Sequence, residues 1–234
     1  MKFLNDRVRD EQEENHWLSV SDLMAGLMMV FLFIAIALMR EAFLERDKIK
    51  QVAVAYQDNQ VAIFDALNEE FANNLDQWNA EIDDESLTFT FKSPDVLFQT
   101  GSARLKTQYK NLLNDFFPRY MEVLEPFRNS INEVRIEGHT NSAWNDAPLD
   151  VAYFKNMDLS QRRTRSVLEY VYLLPDLINS KDWMKSNIAA VGLSSSKLIY
   201  HDEIRSEENW QASKRVSFRV ITNADIQIKR ILQE

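Results

Sequence analysis

The chain has 234 residues, with 27 basic against 36 acidic side chains, a formal net charge of −9 and no cysteine. The acid excess leaves no basic footprint for nucleic acid. The missing cysteine excludes disulfides, thiolate metal sites, a cysteine nucleophile and a lipid-modified N-terminal cysteine.

Four glycines in this length point to a helix-rich chain with few tight turns. Residues 1–16 form a short charged tail with Asp6, Asp10, Glu11, Glu13 and Glu14, too acidic for the leading part of a signal peptide. From Trp17 to Met39 the sequence reads WLSVSDLMAGLMMVFLFIAIALM, 23 residues with one charge, Asp22. A helix needs about 20 apolar residues to cross the hydrocarbon of a bilayer, so residues 17–39 are expected to span one. The run is apolar all round, unlike a surface helix, and no small-residue cleavage site follows it.

Asp22 is the informative residue of this segment. A carboxylate inside a spanning helix is costly and usually faces a protein partner or a water-filled path, where it marks an ion or proton route. The other reading is an N-cap at the interface. Trp17 as an interfacial aromatic would put Asp22 below the surface and favours the ion route. Basic residues lie on both sides of the span (Lys2, Arg7, Arg9; Arg40, Arg46, Lys48, Lys50), so counting them leaves the orientation open.

Residues 40–85 read as a connector, helical to about 82. They hold no glycine or proline, and Ile49, Val52, Tyr56, Ile63, Leu67, Phe71, Leu75 and Trp78 recur at helical spacing. That stripe wants a cover: the folded domain, or a second copy of the chain. A plug for a channel is a further option here.

Residues 86–222 alternate strand and helix signals. Strands are expected at Leu87–Phe91, Val134–Glu137, Ile188–Val191 and Arg215–Ile221. One helix is expected over 104–127, kinked or broken at Pro118. Another is expected over Leu159–Leu173, started by Asp158 or Ser160. The class is therefore α+β, a βαβαββ domain with helices on one face of a mixed sheet. Residues 223–234 read as a helical tail.

Five blocks carry a resemblance: VLFQTGSARL (Val96–Leu105), VRIEGHT (Val134–Thr140), NMDLSQRRTRSV (Asn156–Val167), AVGLSSSKL (Ala190–Leu198) and SKRVSFRV (Ser213–Val220). Together, and in this order, they resemble the OmpA-like peptidoglycan-binding family. The resemblance implies binding to the diaminopimelate of the peptidoglycan stem peptide. It places Arg163 on a ligand carboxylate, where a guanidinium fork suits bidentate contact, with Leu159 on the same helix face. Asn156 just before that helix is implied to hydrogen-bond the ligand. Thr140 and Asn141 fall where the family usually has Thr-Asp, so the charge expected to meet the ligand ammonium is missing at 141. His139 and the pair Lys214-Arg215 read as structural, the latter through a salt bridge.

The membrane run with its aspartate looks like that of MotB-type stator subunits, and the short acidic tail is closer to the ZorB-type subunits of Zorya anti-phage systems. That resemblance implies a bacterial inner-membrane protein crossing once, with a cytoplasmic N-terminus and a periplasmic C-terminal domain. Asp22 is then the ion site, for protons more than sodium. The implied partners are a second copy of the chain and a pentameric ring of larger MotA/ZorA-like membrane subunits. A flagellar-type stator subunit and a non-conducting tether are the alternatives. No nucleophile–base pair, metal cluster or cofactor motif stands out, so neither an enzyme nor a cofactor is expected.

Overall fold

A computed structural model of the chain describes residues 2–92, 97–99, 101–202 and 204–223; within the first helix it describes side chains from Val20 onward, except at 52, 53, 55 and 56. The chain opens with one unbroken helix, α1, Lys2–Phe71. No proline interrupts it, and its one glycine, Gly26, has nothing near it. The segment Val20–Gln51 is long and apolar enough to cross a membrane, with a mean hydropathy of 2.4 in its most apolar window and no burial against the rest of the chain.

Beyond the apolar run, α1 finds its cover in its own domain. Ile63, Leu67 and Phe71 are completely buried. The stripe therefore packs on the folded domain at its C-terminal end. Phe71 sits in an aromatic cluster with Phe89 (5.4 Å), Phe116 (5.3 Å) and Trp78 (5.9 Å). Arg119 closes the joint from outside: Nε donates to Glu70 Oε1 at 2.6 Å, Nη2 to the Glu70 carbonyl, and the guanidinium lies over the Phe71 ring.

The connector does not stay helical to residue 82. After Phe71 come one short turn of helix, α2 (Leu75–Trp78), and a strand, β1 (Ala80–Asp83). Asn79 makes the break by adopting the left-handed conformation at φ 47°, which asparagine tolerates better than most residues. The strand forms because β2 (Thr88–Lys92) offers an edge: Ile82 pairs with Phe89 and Ala80 with Phe91, both turned to the core, while Glu81 and Asp83 stay exposed.

The remaining elements are α3 (Thr107–Leu124), β3 (Ile131–His139), α4 (Leu149–Tyr172), α5 (Lys181–Asn187), β4 (Ile188–Ser194), α6 (Trp210–Ser213) and β5 (Arg215–Thr222). The sheet order is β1-β2-β5-β3-β4, antiparallel except for the parallel pair β3–β4. The class is α+β as the pattern indicates, with β1 added ahead of the βαβαββ order. Residues 224–234, the expected helical tail, lie outside the described residues.

Two helix expectations need correction. Helix α3 runs through Pro118 without a break. Phe116, Phe117, Tyr120 and Met121 are buried on both sides of the proline, and this packing outweighs one lost backbone hydrogen bond. Helix α4 begins at Leu149, after Pro148 in an extended conformation, rather than near Leu159. Asp158 and Ser160 are therefore interior residues. Asp158 pairs with Arg162 one turn on, and the Ser160 hydroxyl accepts from the Ser194 N–H at 3.1 Å.

The contact of α4 with the sheet depends on two glycines facing each other across β3 and β4, Gly138 and Gly192. A Cβ on Gly192 would lie 2.4 Å from the Gln161 backbone nitrogen, and one on Gly138 would lie 2.8 Å from Thr164 Cγ2 and 2.9 Å from the Ser160 carbonyl oxygen. Only a bare backbone lets the helix approach this closely. Gln161 uses the proximity, accepting from the Gly192 N–H at 2.8 Å and donating to the Ala190 carbonyl.

Candidate functional site

The blocks that alternate along the sequence converge at one end of the sheet. The loop after β3 leaves the sheet at Thr140, whose N–H donates to the Ser194 carbonyl at 2.9 Å. Asn156 on α4 holds the next stretch: its Nδ2 donates to the carbonyls of Asn141 and Ala143, each at 3.1 Å. It does so from inside the helix, not from the residue before it, because α4 starts earlier than its pattern suggests.

Further along the same face come Leu159 and then Arg163. Arg163 Nε donates to the Ser102 carbonyl at 3.1 Å, and its guanidinium carbon lies 4.9 Å from the centre of the Phe98 ring. The arginine thus ties α4 to the loop between β2 and α3. Phe98 packs its ring against Tyr109 at 5.5 Å, which fixes that loop to the core. A guanidinium presents five N–H donors in a planar fork, and the bond to the Ser102 carbonyl fixes the orientation of that fork.

The site is more closed than a surface reading suggests. Thr140 and Asn156 are 3% exposed, Leu159 5% and Arg163 6%, while Asn141 is only half-buried. A surface helix arginine beside Arg162 and Arg165 would be solvated; Arg163 is not. Among the described residues the Thr140 hydroxyl is buried with no hydrogen-bond partner. Such an orphan is costly in a finished fold.

Asp22 stands far from these residues in sequence, within α1 and exposed in the isolated chain. Since the helix begins some twenty residues earlier, at Lys2, Asp22 is an interior residue and not an N-cap.

His139 is buried at the end of β3. Its Nε2 lies 3.6 Å from a Glu137 carboxylate oxygen, and its Nδ1 is unpartnered. Burial pushes the imidazole below its ordinary pKa, Arg215 pushes the same way, and Glu137 opposes both. For Glu137, burial alone would raise the carboxyl, but His139, Arg219 and Arg135 outweigh it and the net shift is downward. Arg215 is structural, as the sequence suggests, though among the described residues no salt bridge holds it. It donates to the carbonyls of Lys197 and Ser213.

Several contributors were not legible in the sequence. Phe98 and Ser102 fall in the LFQTGSARL block without any sign that one underlies Arg163 and the other binds it. Glu208 carries no signal in the sequence at all. Its carboxylate accepts from both the N–H and the hydroxyl of Ser142, a second hold on the loop after β3 beside that of Asn156. No periodicity marks Glu208, because the segment around it is loop.

Comparison with known proteins agrees with this architecture. Residues 97–211 match the OmpA family. Over 227 residues, 97% of this chain and 96% of the relative, the chain is 51% identical to the Zorya protein ZorB of Escherichia coli. The chain belongs to the ZorB family. Identity at this level over nearly the full length covers the apolar helix of this ZorB-family chain as well as its folded domain. Among solved structures, a MotB-like protein from Desulfovibrio vulgaris aligns with a TM-score of 0.48 at 19% identity, covering 76% of this chain and 94% of that one. The cell wall anchor of the type VI secretion system from Pseudomonas aeruginosa aligns with a TM-score of 0.45 at 19% identity, covering 67% and 96%.

Proposed function

We propose that this ZorB-family chain is the proton-conducting, wall-anchored subunit of a stator-type membrane complex in a Zorya anti-phage system. The observation that carries this reading is the continuity of α1. One helix bears a single carboxylate, Asp22, in its apolar run and continues without a break until Phe71 is clamped into an OmpA-family domain. From Arg40 to Phe71 that helix rises about 48 Å at 1.5 Å per residue. A charge relay in the membrane and an anchor outside it are then joined by a stiff rod.

In this reading the N-terminus is cytoplasmic, the span is residues 17–39 of the inner membrane, and the domain stands in the periplasm. Two copies sit within a pentameric ring of ZorA-like subunits, the helix faces around Asp22 turned to the ring. The domain binds the diaminopimelate of the stem peptide. Arg163 takes a carboxylate, the orphan Thr140 hydroxyl and Asn141 hydrogen-bond the ligand, Asn156 holds the loop that presents them, and Leu159 supplies apolar contact.

The test is proton flux through proteoliposomes holding the full chain with its ring partner. Asp22→Asn is expected to abolish flux while the two subunits still copurify. Flux equal to the unmodified complex would eliminate the conducting reading and leave a tether.

A further inference from the structure

We infer that Glu208 is the carboxylate that receives the ammonium group of the cell-wall peptide. The inference deepens the wall-binding reading and rests on it.

The ligand chemistry sets the requirement. A diaminopimelate end presents a carboxylate and an ammonium on one carbon. Arg163 answers the first. On the loop after β3, Thr140, Asn141 and Ser142 carry no charge, and a neutral acceptor holds an ammonium roughly half as strongly as a charged one. Asp146, an acid within that loop, is exposed and lies past the turn at Asn145 (φ 47°). A charged acceptor at this end of the loop is supplied by a segment packed against it.

Glu208 brings one to this loop. One oxygen accepts from the Ser142 N–H at 3.1 Å and the other from the Ser142 hydroxyl. The residue next to Ser142 is Asn141, whose carbonyl Asn156 holds, so Glu208 and the α4 face grip one short segment. The backbone that carries Glu208 is itself fixed. Tyr200 and Glu208 form a β-bridge, the Asn209 N–H donates to the Ile199 carbonyl at 2.8 Å, and the Asn209 side chain caps α6 through the Ala212 N–H at 3.0 Å. The carboxylate is thus placed before any ligand arrives, which lowers the cost of binding.

Glu208 also has capacity left. An ionised carboxylate offers about four acceptor positions, and Ser142 occupies two. The side chain is half-buried. Among the described residues it has no ion-pair partner. A half-buried, preplaced carboxylate with no ion-pair partner among the described residues, bonded to the loop that Asn156 of α4 holds, is complementary to an ammonium.

The competing role for Glu208 is a loop clamp and nothing more. Glu208→Gln separates the two, because a glutamine amide can still accept from the Ser142 N–H and meet the hydroxyl while carrying no charge. The experiment titrates the full chain in detergent with a soluble stem tripeptide ending in meso-diaminopimelate and blocked at its N-terminus, and with the same peptide acetylated on the remaining diaminopimelate amine. The unmodified chain is expected to bind the acetylated peptide about tenfold more weakly. Glu208→Gln is expected to bind the native peptide about tenfold more weakly than the unmodified chain does, and to show no further loss on acetylation. A pure clamp would weaken both peptides alike and keep the acetylation penalty, which would overturn the inference. So would an unmodified chain indifferent to acetylation, or a Glu208→Gln chain that binds like the original. If the unmodified chain binds neither peptide, the wall-binding reading falls as well.

Discussion

Arg163 carries two duties at once. Its Nε bond to the Ser102 carbonyl and its stacking on Phe98 make it part of the fold as well as part of the proposed site. Arg163→Ala is therefore not a clean probe, since it frees a buried carbonyl and opens space beside an aromatic ring. Arg163→Lys keeps a cation but loses the planar fork. Its cosedimentation with purified cell wall is expected to fall about tenfold while the thermal midpoint moves by only a few degrees. Unchanged cosedimentation would remove Arg163 from the site. His139 gives a second test at this scale. Its folded pKa is depressed by burial, so the unfolded chain takes up a proton at higher pH than the folded one. The stability this contributes is complete above the ordinary imidazole value of about 6.5 and is lost as pH falls below it. Glu137, also shifted down, loses its contribution in the same direction but in the more acidic carboxylate range. The thermal midpoint should drop between about pH 7 and pH 5, and His139→Gln should flatten that slope; equal slopes would refute the assignment.

Elements are positioned here by what they cannot contain. Helix α4 lies close to β3 and β4 because Gly138 and Gly192 face it with no side chain. The approach in turn lets Gln161 bond to the β4 backbone, Ser160 receive the Ser194 N–H and Asn156 reach the loop after β3. Gly192→Ala pushes a methyl against helix backbone, which cannot swing away as a long side chain could. Overpacking of this kind costs about 1–3 kcal/mol. Gly192→Ala is expected to lower the denaturation midpoint and also to weaken wall binding, since the helix that bears Asn156 and Arg163 must shift. A variant as stable as the original would show that the contact is not tight. Pro118 is the reverse case, a residue whose local cost the element absorbs because its neighbours on α3 are buried.

For the molecule as a whole, the joint between α1 and the domain decides whether force can pass from one to the other. Phe71 is its centre, wholly buried among Phe89, Phe116 and Trp78. Phe71→Ala is expected to cost about 3–5 kcal/mol. Hydrogen exchange should then rise at the C-terminal end of α1 and in β1 and β2 before it rises in β3 and β4. Uniform exchange across the sheet would mean that the joint is not a separate source of stability.

Much of this was legible from the chain alone. The apolar run with its one carboxylate and the order of β2 to β5 with α3 and α4 follow from residue type and spacing, because apolar periodicity is a property of a segment by itself, while Asn156 and Arg163 stood out only through the resemblance of their blocks to the OmpA-like family. The strand at Ala80–Asp83, the true start of α4, the burial of Arg163 and the arrival of Glu208 at Ser142 were decided only in three dimensions. Each depends on a partner distant in sequence: an open edge on β2, a sheet face cleared by glycine, the Ser102 carbonyl, and a loop held between α4 and the segment before α6. A segment's own pattern shows which face it wants to hide, whereas the surface that hides it exists only once the chain has folded.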